Sequence, residues 1–160
     1  MRTILYLGST TDLDYERELL REWDKTCVHL ATCTKLPTRA SLPDGGTSAA
    51  AAAPSAEPAT PDPLCDVDAV VVEQGELNAD VLRAHPQLTV VVLLGDKHAS
   101  ADVATATAEN IWVTRAQNRA VLRRLHLAPQ TPGRSARRHA LQDALAGIAG
   151  ERPSGRVNEL

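Results

Sequence analysis

Apolar positions fall along this chain in short blocks separated by polar turns, with one long gap between them. Ile4–Leu7 is a compact apolar run closed by Gly8-Ser9, the pattern of a buried strand. From Thr11 the period lengthens, and Leu13, Leu19, Leu20 and Trp23 form the stripe of a helix reaching about Trp23. Thr11-x-x-Asp14 reads as its capping box, and Asp12, Asp14 and Glu16 suit the positive end of its dipole. A second strand is predicted around Thr26–Cys33. After the gap, Asp68–Val72 reads as a β-branched strand ending at Glu73-Gln74-Gly75. Leu77–His85 reads as a short helix stopped by Pro86. Leu88–Leu94 is apolar throughout, as a parallel strand covered on both faces requires. Ala99–Glu109 reads as a helix of small residues and Ile111–Val113 as a last short strand.

The order β-α-β-loop-β-α-β-α-β predicts an α/β fold: a flavodoxin-like open, mostly parallel five-stranded sheet flanked by helices, over residues 1–115. Residues 116–150 are expected to form C-terminal helices, with Val121, Leu122 and Leu125 on one stripe and Leu141, Leu145 and Ile148 on another. Residues 151–160 read as a tail.

The gap itself, residues 36–63, is rich in Pro, Ala, Ser, Thr and Gly and contains the run Ala49–Ala53. It has too few large side chains to offset its ordering entropy, so a mobile loop is expected, with at most a weak helical turn at the alanines. At 43% hydrophobic residues the chain can build a core, and with no Phe and 2% aromatics that core is aliphatic. Scarce aromatics argue against a base-stacking platform for nucleic acid. No apolar stretch is long enough for a bilayer, and the N-terminus does not read as a signal peptide, so a soluble, cytoplasmic protein with no membrane role is expected. Three cysteines without a CxxC spacing point to inert thiols rather than a disulfide framework, with Cys27 and Cys33 buried on one side of a strand. The stretch from Arg115 to Arg138 holds seven arginines, and no acid lies between Glu109 and Asp143. Its two readings are a site for nucleic acid or an acidic partner, and a solvated helix face balancing the acidic first helix. The net charge of -3 favours the second.

Residues from Asp66 onward resemble the N-terminal, substrate-side domain of D-isomer-specific 2-hydroxyacid dehydrogenases. The pieces are Val67–Val72, Leu77–Leu82, His85–Val91, Gly95, Asp102–Thr107 and Ile111–Thr114, in order and at the family's spacing. Pro153–Leu160 resembles the segment just before the family's nucleotide-binding strand. The resemblance implies a domain that stops short of the NAD-binding half. The family's catalytic Arg, Glu and His lie in that half, so none is carried over. No cofactor is expected on this chain, because a hydride carrier needs a glycine-rich phosphate turn and Gly45-Gly46 follows no apolar strand.

Ligands of open α/β sheets bind at the carboxyl ends of the strands. In this chain that rim holds Gly8 and Ser9, Glu73-Gln74-Gly75 and Gly95-Asp96-Lys97-His98. The resemblance implies that the last two loops contact a substrate carboxylate. Gly8, Ser9, Gln74, Gly75, Gly95 and Lys97 are therefore candidate binding residues, with Lys97 standing where the family has a second glycine. Glu73, Asp96 and His98 are a candidate acid–base set, His98 able to titrate near neutral pH. The alternative is a solvated polar rim without chemistry. No metal site is expected. The functional expectation is a stand-alone domain binding a small acid or carbonyl compound or a protein partner, catalysing at most a lyase, isomerase or cyclase step. The alternatives are half of a split dehydrogenase working with a separate NAD-binding chain, and a pseudo-receiver module, which Glu73 in place of a phosphorylated Asp disfavours. Replacing a helix by residues 36–63 is expected to bare apolar sheet near the edge strand, which would favour a homo-oligomer or another partner.

Overall fold

The computed structural model describes residues 2–8, 12–25, 27–34, 64, 66–94, 99–116 and 133–160. The gap segment 36–63 and the arginines Arg119, Arg123 and Arg124 lie outside them. The strands are β1 (Arg2–Leu7), β2 (Val28–Cys33), β3 (Ala69–Val72), β4 (Gly75–Leu77), β5 (Val90–Leu94), β6 (Ala99–Ala101) and β7 (Trp112–Ala116). The helices are α1 (Asp14–Glu22), α2 (Ala79–Ala84), α3 (Val103–Ala108) and α4 (Arg134–Ala149).

Five strands form one sheet in the order β2-β1-β3-β5-β7, every pair parallel. This is the predicted flavodoxin-like α/β sheet, and its center is as apolar as expected: all five residues of β5 are buried. Alternation along the strands sends Ile4, Tyr6, Val71, Val92 and Leu94 to one face, under α1 and α4. Leu5, Leu7, Val70, Val72 and Leu93 go to the other, packing with Leu82 before Pro86 and Ala106 of α3. Gly147 sets how closely α4 lies on the sheet, since a Cβ there would stand 2.5 Å from Val90 Cβ.

Several local readings need correction. The N-cap of α1 is Leu13, which makes no side-chain cap; the Asp14 amide instead donates to Asp12 Oδ1 at 3.0 Å. An acidic side chain two residues back satisfies the helix start, so no capping box forms. Residues 99–101 are a strand rather than the first turn of α3, because the Asp102 side chain caps the helix by accepting from the Thr105 amide at 3.0 Å. Cys27 is exposed, preceding β2 rather than lying in it, and Cys33 is half-buried. Among the described residues on this face, Ala31 and Cys33 of β2 are half-buried, and Leu5 and Leu7 on the next strand are 2% and 3% exposed.

Residues 150–160 are not a loose tail. Gly150 closes α4 in the left-handed region at φ 76°, and the chain then turns back along the outer edge of β7. Arg115 N–H donates to the Gly155 carbonyl at 2.8 Å and Val157 N–H to the Val113 carbonyl at 2.6 Å. Buried Asp143 of α4 accepts from the Ser154 amide and hydroxyl and from the Gly155 amide.

Candidate functional site

Because all strands of the main sheet are parallel, their carboxyl ends share one rim, and the strand order reverses there between β1 and β3. At that point Gly8 has φ 74°, and a Cβ on it would stand 2.3 Å from the Gln74 carbonyl oxygen. Glycine is required on both counts. The amides of Glu73 and Gln74 both donate to the Leu7 carbonyl, at 2.9 and 3.4 Å. Main chain therefore closes the floor of the crevice, and these two amides are committed to the floor rather than offered to a ligand. Gly75, at φ 122°, turns the chain out of the floor and begins β4.

Beyond the main sheet, β4 and β6 pair in parallel as a small second ladder: Gly75 with Ala99, Glu76 with Ser100, Leu77 with Ala101. This ladder places Gly75 beside the residue that directly follows His98 in sequence. Gln74 and Gly75 are exposed and Glu73 is half-buried. Ser9, Gly95, Asp96, Lys97 and His98 lie outside the described residues. Strands of only three residues, Gly75-Glu76-Leu77 and Ala99-Ser100-Ala101, are too short to show an alternation, so periodicity did not mark them.

On the α1/α4 face of the same rim lies a buried polar group absent from the expectations. Arg137 of α4 donates from Nε to Glu16 Oε1 at 2.6 Å and from Nη2 to Glu16 Oε2, and Nη2 also reaches the Asp12 carbonyl at 2.6 Å. Glu16 is fully buried. Tyr6, also fully buried, has a hydroxyl with no hydrogen-bond partner among the described residues. Burial pushes its pKa well above the ordinary tyrosine value; the negative charges of Glu16 and Glu73 add to this and Arg137 opposes it. The signal for the pair was present in sequence: Glu16 falls on the stripe of Leu13 and Leu20, and Arg137 on that of Leu141 and Ala144. Arg134 and Arg138 stack over Tyr15 and Trp23, each at 5.5 Å from the ring center. The described arginines of α4 thus do face the acidic helix, but Arg137 is sequestered rather than solvated.

The turn after β1 reads Gly8-Ser9-Thr10-Thr11-Asp12 in sequence, with a single glycine, and Asp14 and Glu16 follow in the first turn of α1. Among the described residues no cluster of His, Cys, Asp and Glu could hold a metal ion, and no helix is long and apolar enough to cross a membrane.

No protein-family model and no curated protein matches the chain. Among solved structures it is similar to part of several D-isomer-specific 2-hydroxyacid dehydrogenases. These include NAD+-bound 3-phosphoglycerate dehydrogenase of Entamoeba histolytica (TM-score 0.47, 10% identity, 72% of this chain and 33% of that one). NAD-dependent formate dehydrogenase of Staphylococcus aureus gives 0.42 and 13%, with 72% and 31% covered. The D-isomer-specific 2-hydroxyacid dehydrogenase of Lactobacillus delbrueckii ssp. bulgaricus gives 0.42 and 11%, with 74% and 30% covered. The chain thus spans about a third of the length of these structures, and at such identities the likeness is one of fold.

Proposed function

We propose that this chain is a small-molecule-binding α/β domain that takes a small acid or carbonyl compound at the carboxyl rim of its sheet. The pairing of Gly75 with Ala99 supports this reading, since it sets Gly75 beside the residue that follows Gly95-Asp96-Lys97-His98 in sequence. Gln74 is exposed there, and Lys97 supplies a cation for a carboxylate. Because the Glu73 and Gln74 amides are spent on Leu7, recognition falls to side chains and to Gly95-Asp96-Lys97-His98 rather than to a cradle at residues 73–74. The ligand class follows from the sequence resemblance of residues 66–114. Acid–base work by Glu73, Asp96 and His98 is a sub-case that needs no redox cofactor.

Calorimetric titration with a panel of 2-oxo acids, 2-hydroxy acids and the matching amides tests the reading. Acids are expected to bind and amides to bind more weakly, with Lys97→Ala removing the preference. Equal silence of acids and amides would contradict it.

A further inference from the structure

At the opposite side of the sheet, β2 is an edge strand, and α1 overhangs it to form a groove of about 330 Å³ lined by Arg17, Leu20, Arg21, Lys25, Val28, His29 and Leu30. The parallel ladder turns the carbonyls of Cys27 and Cys33 toward β1, where they accept from Arg2 and Gly8. By the alternation of a strand, the main-chain groups of Leu30 and Thr32 and the carbonyl of Val28 face outward, and no described strand pairs with them; the Val28 amide donates to the Lys25 carbonyl at 3.2 Å. Arg17 is shared with Asp12 and Asp14, whereas Arg21 and Lys25 form no ion pair with a described residue. No acid is among the residues that line the groove.

We infer that this groove binds an extended acidic peptide segment of a partner protein, added as a strand to β2. Main-chain hydrogen bonds to Val28, Leu30 and Thr32 hold such a strand, and its acidic side chains meet Arg17, Arg21 and Lys25. Charge decides against a second copy of this chain as occupant. A twofold pairing of β2 with itself would set these cations beside their own counterparts, and like charges across strands oppose pairing.

The test uses the full chain and a short peptide alternating Glu and Val, with a Lys–Val peptide as control. The acidic peptide is expected to slow hydrogen exchange at the Leu30 and Thr32 amides. Arg21→Glu with Lys25→Glu is expected to weaken binding at least about tenfold. Both residues are exposed, and a thermal melt checks that the variant folds. Added salt gives a second readout on the unaltered chain, weakening the acidic peptide as screening grows. Unprotected edge amides, equal binding of the Lys–Val peptide, affinity insensitive to both the substitutions and salt, equal occupation by inorganic phosphate, or a β2-mediated dimer in sedimentation would each overturn the inference.

Discussion

Arg137 grips both carboxylate oxygens of Glu16, joining the start of α4 to the start of α1 across 121 residues of sequence. The pairing answers an electrostatic problem. Arg134, Arg137 and Arg138 crowd the first turn of α4, the end at which a helix dipole disfavors cations. Glu16 neutralizes the one that is buried, and the Asp12 carbonyl accepts a further hydrogen bond from it.

Removing one partner strands a buried charge. Glu16→Gln is expected to lower stability by about 3–5 kcal/mol, and Glu16→Leu with Arg137→Met to restore most of that loss. Urea denaturation of the single and double variants measures this. A double variant as unstable as the single one would show that the pair itself, rather than the uncompensated charge, holds α4.

The orphan hydroxyl of Tyr6 predicts a pH-dependent effect. At neutral pH, Tyr6→Phe is expected to be neutral or to stabilize by up to about 1 kcal/mol, because no hydrogen bond is lost. Above about pH 10 the unfolded chain ionizes this tyrosine while the fold keeps it neutral. The folded state then binds more protons, so the original chain loses stability as pH rises, by up to about 1.4 kcal/mol per pH unit. Tyr6→Phe abolishes that part of the slope. Parallel alkaline slopes for the two proteins would contradict the buried, neutral assignment.

Asn158 ties the C-terminal segment to the sheet edge. It accepts from the Val113 amide at 2.8 Å and donates to the Ile111 carbonyl and to Thr107 Oγ1. Asn158→Ala leaves a buried amide and carbonyl unmet and is expected to cost about 2 kcal/mol or more. The Val113 amide should lose protection from hydrogen exchange. Unchanged protection there would mean that the segment does not depend on this side chain.

Much of this architecture was legible before any coordinates. The strands at Ile4–Leu7 and Leu88–Leu94 were readable because buried parallel strands are apolar without interruption. The α1 stripe was readable because its period is helical. The reading failed where structure depends on backbone geometry or on distant partners. β4 and β6 pair through Gly75 and Ala99, residues with almost no side chain to betray a strand. Gly8 looked like a turn residue, yet its stricter constraint is contact with Gln74, 66 residues further along the chain. Glu16 and Arg137 broke their apolar stripes in a visible way, but neither stripe names its partner. The rim residues were chosen by position in the fold; Gly75 pairs with Ala99, and Ser9 and Gly95-Asp96-Lys97-His98 lie outside the described residues.

The central claim is that the rim beside this pairing forms a ligand site. Its most direct measurement is an amide-resolved nuclear magnetic resonance titration of the chain with a 2-oxo acid to roughly 10 mM, the weak end of specific binding. The account predicts saturable shifts shared by Gln74, Gly75 and Ala99, weakened by Lys97→Ala. Shifts that never saturate, or that cluster away from the β4–β6 ladder, would contradict it.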